Sequence, residues 1–323
     1  MKILIVDDDE LMLEILSTAL EVAGHLDVVK ATGGKEALQK IQATENRFDC
    51  FLLDIQMPVI DGIELCSRIR HIPEHSKSPI IMVTAMSELS YINRAFKAGA
   101  TDYITKPFEI VEVQARVGMA ERLVAEIRRG DNSANTLDAL TSSILDNQKT
   151  PLDHPVSVDD IDTFLPLTTF ENYIEQLRSG KYYSSGYCAL KVRNIAKVHQ
   201  LASGREFNQV IADISDAIAD NLHTSDTFFT YTGNGCFVLA YNRLSNPVGE
   251  DFGHLVQHTV AHFGLRYASG DPIRIDIVQG ANVNPSVFSQ RGSSKCIQNA
   301  ILALPKLEAS GSSLPERQRY KAH

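Results

Sequence analysis

No stretch of this 323-residue sequence is apolar for long enough to cross a bilayer. The amino terminus turns acidic after the four apolar residues Ile3 to Val6, too few for the core of a secretory signal. Basic charge is also scarce. A formal net charge of -9 argues against a surface built to hold nucleic acid. Neither a helix-turn-helix pattern nor a basic stripe is present, and the tail Arg317-x-Arg319-x-Lys321 reads as a solvated end. Cysteine is sparse and unpatterned. Cys50, Cys66, Cys188, Cys236 and Cys296 show no metal-ligand spacing and leave one unpaired, so buried free thiols in a reducing compartment are expected. These absences describe a cytoplasmic protein that uses neither membrane nor nucleic acid as its partner.

What is present is ordinary globular composition, 44% hydrophobic and 22% charged, over a length sufficient for two cores. In the first part, short apolar runs alternate with helical stripes. Strands are expected at Lys2 to Val6, Val28-Val29, Cys50 to Leu53, Ile80 to Val83 and around Tyr103-Ile104. Helices are expected from Glu10, from Gly34, from Gly62, over Leu89 to Ala98 and over Glu109 to Arg129. Such alternation implies right-handed crossovers and a five-stranded parallel sheet of the flavodoxin-like, doubly wound kind. Asp7 and Asp8, Asp54, Thr84 and Lys106 each close a different strand. In a parallel sheet those ends meet along one edge, where ligands bind. Three carboxylates in one pocket repel unless a cation is present, and hard oxygen donors suit Mg2+. Asp9 and Asp61 read as helix caps or solvated turns. The competing reading is a flavodoxin-like domain whose strand-end acids are merely solvated.

The motifs Val6-Asp7-Asp8, Asp54-x-x-Met57-Pro58-x-x-Asp61-Gly62, Val83-Thr84-Ala85 and Gly99-Ala100-x-Asp102-Tyr103-x-x-Lys106-Pro107-Phe108 follow in order. Over residues 1 to about 125 the sequence resembles the receiver domain of two-component response regulators. The resemblance implies that Asp54 accepts a phosphoryl group from a histidine kinase or phosphotransfer protein. It also implies that Asp7, Asp8, Asp54 and the backbone carbonyl of Gln56 hold Mg2+. Thr84 and Lys106 would contact phosphoryl oxygens, Tyr103 would be the aromatic switch, and the bond before Pro107 would be cis.

Val113, Val117, Ala120, Val124 and Ile127 repeat at alternating four- and three-residue steps, a short coiled-coil seam that would allow a homodimer. The first domain is thus expected over 1–129, followed by a polar linker over 130–164, a second domain over 165–305 and a tail over 306–323. A turn of helix is expected near Leu137 to Leu145. In the second domain, helices are expected over Thr168 to Leu177, Phe207 to Leu222, Leu255 to Phe263 and Cys296 to Leu304, with strands at Tyr187 to Val192 and Ile273 to Val278. Gly233-Asn234-Gly235 separates two β-rich runs, and Asn-Gly there predicts a hairpin with positive φ at both central residues. His254, His258 and His262 recur at helical spacing and read as a polar helix face.

This element order resembles the GGDEF domain of diguanylate cyclases, a nucleotide-cyclase-like α/β fold with a mixed sheet and a β-hairpin. The five positions of that family's hairpin motif are here Gly233, Asn234, Gly235, Cys236 and Phe237. The turn and the phenylalanine persist, and both carboxylates are gone. Aligning Gly204 with the glycine of that family's guanine-binding segment places Arg205, Ala196 and Cys188 where the family has its acid, asparagine and first metal aspartate. His223 and Asp226 fall near its product-binding motif, with one residue too many between them. Joining two GTP molecules needs carboxylates for metal ions and for activating a hydroxyl. No cyclase catalytic residue is therefore expected, and nucleotide binding is disfavoured. The sequence reads as a response regulator whose degenerate GGDEF-like output acts on a downstream protein by contact. A sensor of GTP or cyclic di-GMP, and a residual cyclase, are the competing readings.

Overall fold

The computed structural model describes residues 1–43, 47–85, 89–138, 149–158, 161–177, 179–224, 226–285 and 292–305. The first half is a five-stranded parallel sheet in the order β2-β1-β3-β4-β5, formed by β1 (Ile3–Val6), β2 (Val28–Ala31), β3 (Cys50–Leu53), β4 (Ile80–Thr84) and β5 (Asp102–Thr105). Strands β1, β3 and β4 are buried along their whole length. That is the state of a sheet covered on both faces, and it explains why these runs are uniformly apolar. The covering helices are α1 (Glu10–Val22), α2 (Gly34–Ala43), α3 (Gly62–Arg70), α4 (Leu89–Lys97) and α5 (Ile110–Asp138). Asp9 caps α1 by accepting from the Leu11 amide, and Asp61 caps α3 through Glu64, as their spacing predicts. The order reverses between β1 and β3, so the crevice at the strand ends opens beside Asp7 and Asp54.

Helix α5 runs on to Asp138, nine residues past the expected end. The early turns of its apolar seam pack within the first domain, and Ile127 is half-exposed. Val113, Val117 and Ala120 are packed against Leu13, Leu16 and Leu20 of α1, and Val124 is buried. Arg128 fastens the helix to Asp49 at 2.6 Å. The expected helical turn beyond Asp138 and the tail 306–323 lie outside the described residues.

The second half contains α6 (Leu167–Gln176), α7 (Ser179–Ser184), β6 (Ser185–Val192), α8 (Ile195–Leu201), α9 (Gly204–Asp220), β7 (Phe228–Tyr231), β8 (Cys236–Asn242), α10 (Phe252–Phe263), β9 (Ile277–Gln279) and α11 (Ser293–Leu302). Its sheet has the order β7-β8-β6-β9, and every ladder is antiparallel. The mixed sheet expected here is thus corrected to an antiparallel one, with a single isolated parallel bridge between Phe164 and Phe229. Alternation sorts the two faces. Cys188, Leu190, Val192, Phe237, Leu239 and Tyr241 point into a core with α8, α9 and α10, while Tyr187, Ala189, Val238 and Ala240 point toward α6 and α11. Strand β9 is shorter than expected. Around Asp276 the backbone bonds go to Arg193 and to the Asn194 side chain instead of a ladder.

Two linker expectations also change. Residues 149–158 pack on the second domain, with Leu152, Val156 and Val158 against its core. Phe164 lies buried in that core.

Candidate functional site

The pocket lies where four strands end. Asp7 follows β1, Asp54 follows β3, Thr84 ends β4, and Lys106 follows β5. Lys106 Nζ stands 2.6 Å from Asp7 Oδ2 and 3.2 Å from Asp54 Oδ1. Asp7, Asp8 and Asp54 each offer a carboxylate oxygen within 4.8 Å of the others. Asp7, Asp54 and Thr84 are buried, whereas Asp8 faces solvent. Parallel pairing fixes this convergence, because the Asp54 amide donates to Val6 O at 2.9 Å and the Lys106 amide to Thr84 O at 2.8 Å. Gln56 is exposed in the loop two residues beyond Asp54, and Tyr103 is fully buried in β5. The Lys106-Pro107 bond is cis.

Burial raises the Asp54 pKa above the usual carboxylate range; Lys106 pulls it down, while Asp7 and Asp8 push it further up. Burial also works against the Lys106 charge, but its bonds to Asp7 and Asp54 hold the ammonium above its ordinary pKa. Three carboxylates facing one ammonium leave an excess of negative charge. All donors are hard oxygens, and exposed Asp8 leaves room for water, so the set fits a divalent ion such as Mg2+ that keeps part of its hydration shell.

The loop that follows Asp54 is tightly built. A Cβ on Gly62 would lie 2.0 Å from the Asp54 carbonyl oxygen, so α3 can begin there only with glycine. Gly62→Ala is expected to destabilise the protein by about 3 kcal/mol, because backbone must move; the midpoint of urea unfolding measures it. Val59 has φ 73° and is 92% exposed. A β-branched residue in the left-handed region stores roughly 1–2 kcal/mol of strain in the loop that follows Asp54.

In the second half, the hairpin turns as expected. Asn234 and Gly235 have φ of 52° and 72°, and the Cys236 amide donates to Gly233 O at 2.9 Å. The β6–β8 ladder sets which residues of β6 face the hairpin. Cys236 stands opposite Lys191 on β6, while Cys188 pairs with Leu239 and is buried, its thiol donating to Gly280 O at 3.4 Å. The Lys191 ammonium bonds to the Asn234 carbonyl at the turn. Ala196 and Arg205 are exposed. Ser203 and Glu206 close a capping box at the start of α9 and use its free amides. The His258 and His262 rings lie 4.3 Å apart at a tilt on α10, yet among the described residues only the three aspartates form a group able to hold a metal. All five cysteines are buried and free.

Residues joining the two halves were not singled out by the sequence. Phe96 of α4 meets Tyr173 of α6 edge-on at 5.5 Å, and Tyr173 in turn meets Phe228 at 4.7 Å. Asn93 donates to Asp226 at 2.9 Å, Asn172 to Thr101 O at 3.1 Å, and Gln176 to Asp102 at 3.4 Å. Asp226, considered above for product binding, is thus engaged with α4. Each of these side chains looks ordinary within its own element, and only the docking of the halves gives it a role.

Comparison with known proteins bears on the first half. Residues 3–118 match the family model of the response regulator receiver domain. The alkaline phosphatase synthesis transcriptional regulatory protein PhoP of Bacillus subtilis is 42% identical over 116 residues, 36% of this chain and 46% of its own length. The DNA-binding dual master transcriptional regulator RpaA of Synechocystis is 36% identical over 116 residues, 47% of its own length. The chain therefore spans under half the length of these curated relatives. Among solved structures, the Vibrio cholerae chemotaxis protein CheY4 is 32% identical across 36% of this chain and 95% of its own, with a TM-score of 0.34. A CheY-like receiver domain protein of Methanospirillum hungatei is 30% identical across 39% of this chain and 97% of its own, with a TM-score of 0.36. With a match to the family model that takes in Asp7, Asp8, Asp54, Thr84 and Lys106, residues 3–118 are the receiver domain of a two-component response regulator.

Proposed function

We propose that Asp54 is the phosphoacceptor and that the second domain passes the signal on by contact instead of by its own chemistry. The observation that carries the first part is the convergence of Asp7, Asp8, Asp54, Thr84 and Lys106 on one sheet edge. A carboxylate oxygen of Asp54 attacks phosphorus, the bond to the donor histidine nitrogen breaks, and the phosphoryl group stays on Asp54. Lys106, already within reach of Asp54, and Thr84, at the end of the adjacent strand, receive phosphoryl oxygens. Asp7, Asp8, Asp54 and the Gln56 carbonyl would hold Mg2+, which supplies charge neutralisation between phosphate and carboxylates. A histidine kinase or phosphotransfer protein is the donor.

The second domain reads best as a GGDEF-like domain that has lost catalysis. At the hairpin, Gly233 to Phe237 carry no carboxylate, and the strand position opposite Cys236 holds Lys191. An ammonium there repels the metal ions that triphosphate chemistry requires. Two assays test the proposal. Incubation with acetyl phosphate and Mg2+ should add one phosphoryl mass, and Asp54→Asn should abolish it; uptake by the variant would place the acceptor elsewhere. Incubation with GTP and Mg2+ or Mn2+ should yield no cyclic di-GMP, and any turnover would restore the cyclase reading.

A further inference from the structure

The groove between the hairpin tip and the corner of α8 and α9 is filled by the chain itself. Residues 149–153 run through it. Lys149 Nζ donates to the carbonyls of His199 and Gln200, both at 2.9 Å, at the carboxyl end of α8. Those carbonyls lack partners within the helix, and the negative end of the helix favours an ammonium. His199 Nε2 lies 2.8 Å from Thr150 O, and its ring is held edge-on against Phe207 at 4.7 Å. The Asn234 amide donates to Leu152 O at 2.6 Å. Gly233, with φ +91°, passes so near that a Cβ would stand 2.4 Å from Asp153 O. Leu152 rests against the core beneath.

Two of the four hydrogen bonds engage main-chain oxygens of the segment, and two side chains add selectivity: an ammonium, and three residues later a leucine. Main-chain bonds for affinity with pockets for chosen side chains are how proteins recognise extended peptides. A plain linker has no need of them, since ordering each residue costs about 1–2 kcal/mol. We propose that this groove is a peptide-binding site and that residues 149–153 are its in-cis occupant. The strap is exchangeable for a segment of another protein that presents a lysine followed three residues later by leucine.

The test uses the full chain carrying Lys149→Ala and Leu152→Ser, titrated with a fluorescent synthetic peptide of residues 147–158. The variant should bind the peptide at least about tenfold more tightly than the wild type, where the tethered strap competes at roughly millimolar effective concentration. The same peptide with Lys149→Met should bind the variant about fivefold more weakly, having lost a charged hydrogen bond. Amide exchange at Asn234 should be slow in the wild type, fast in the variant, and slow again when peptide is added. If the double variant does not fold, the single Lys149→Met chain takes its place, with an expected gain of about threefold over wild type. Absence of peptide binding to the folded variant, or equal binding of a scrambled peptide, overturns the proposal.

Discussion

Arg70→Met is expected to cost the protein about 3–5 kcal/mol, read as a lower midpoint of urea unfolding at unchanged slope. Arg70 ends α3 and turns beneath the loops that precede β4 and β5. Its Nε donates to Gly99 O at 2.8 Å, and its Nη1 to Ser78 O at 2.6 Å and His75 O at 3.1 Å. Nη2 reaches the Thr101 hydroxyl at 3.4 Å. All four partners are neutral oxygens, so burial pulls the guanidinium below the ordinary arginine pKa. Methionine fills a similar volume and leaves those oxygens without the guanidinium donors. Arg70→Lys should recover only part of the loss, because a point charge cannot serve both loops at once. A loss below about 1 kcal/mol for Arg70→Met would show that the loops hold their shape without it.

Phe96→Ala should cost about 3–5 kcal/mol and change the form of unfolding as well as its midpoint. Phe96 is fully buried between the halves, packed with Ile92, Tyr103, Phe170 and Tyr173 in one cluster. Truncation removes the ring and leaves a cavity that rigid neighbours on both sides cannot close. Wild type is expected to unfold in a single transition across both halves, whereas Phe96→Ala should separate it into two, with near-ultraviolet and far-ultraviolet signals no longer coincident. A single unaltered transition would show that the aromatic stack is not what couples them. The polar contacts around it, Asn93 with Asp226 and Gln176 with Asp102, lend orientation. Asp102 is also paired with Arg116 at 3.1 Å, and burial raises its carboxyl pKa against that pairing.

How far the sequence reveals this molecule depends on how local each signal is. Strands β1, β3 and β4 are legible because burial on both faces leaves only apolar residues, and Asp9 and Asp61 because a cap acts within three residues. The pocket is legible because parallel topology alone brings strand ends together. The facing of Lys191 and Cys236 is not, since it depends on a β6–β8 ladder between residues far apart in the sequence. The strap is hidden for another reason: its bonds are made mainly by backbone oxygens, which every sequence possesses. The docking of the halves is hidden because Phe96 and Tyr173 read as ordinary core positions, and nothing in either helix says whose core.

Thr101 shows where that sharing leads. Its amide donates to Ile80 O at 2.7 Å and its hydroxyl accepts from the Ile80 amide at 3.2 Å, which ties it to β4, while its carbonyl receives Asn172 from α6. One residue is thus finished by two domains. The unit recognised by descent, residues 3–118, is smaller than the unit that folds. A fragment cut at the end of the family match would keep Asp7, Asp8, Asp54, Thr84 and Lys106 but expose a raw apolar face where Phe96 and Tyr173 part. Expression of this receiver in isolation would then be limited by self-association at that face, whatever the state of Asp54.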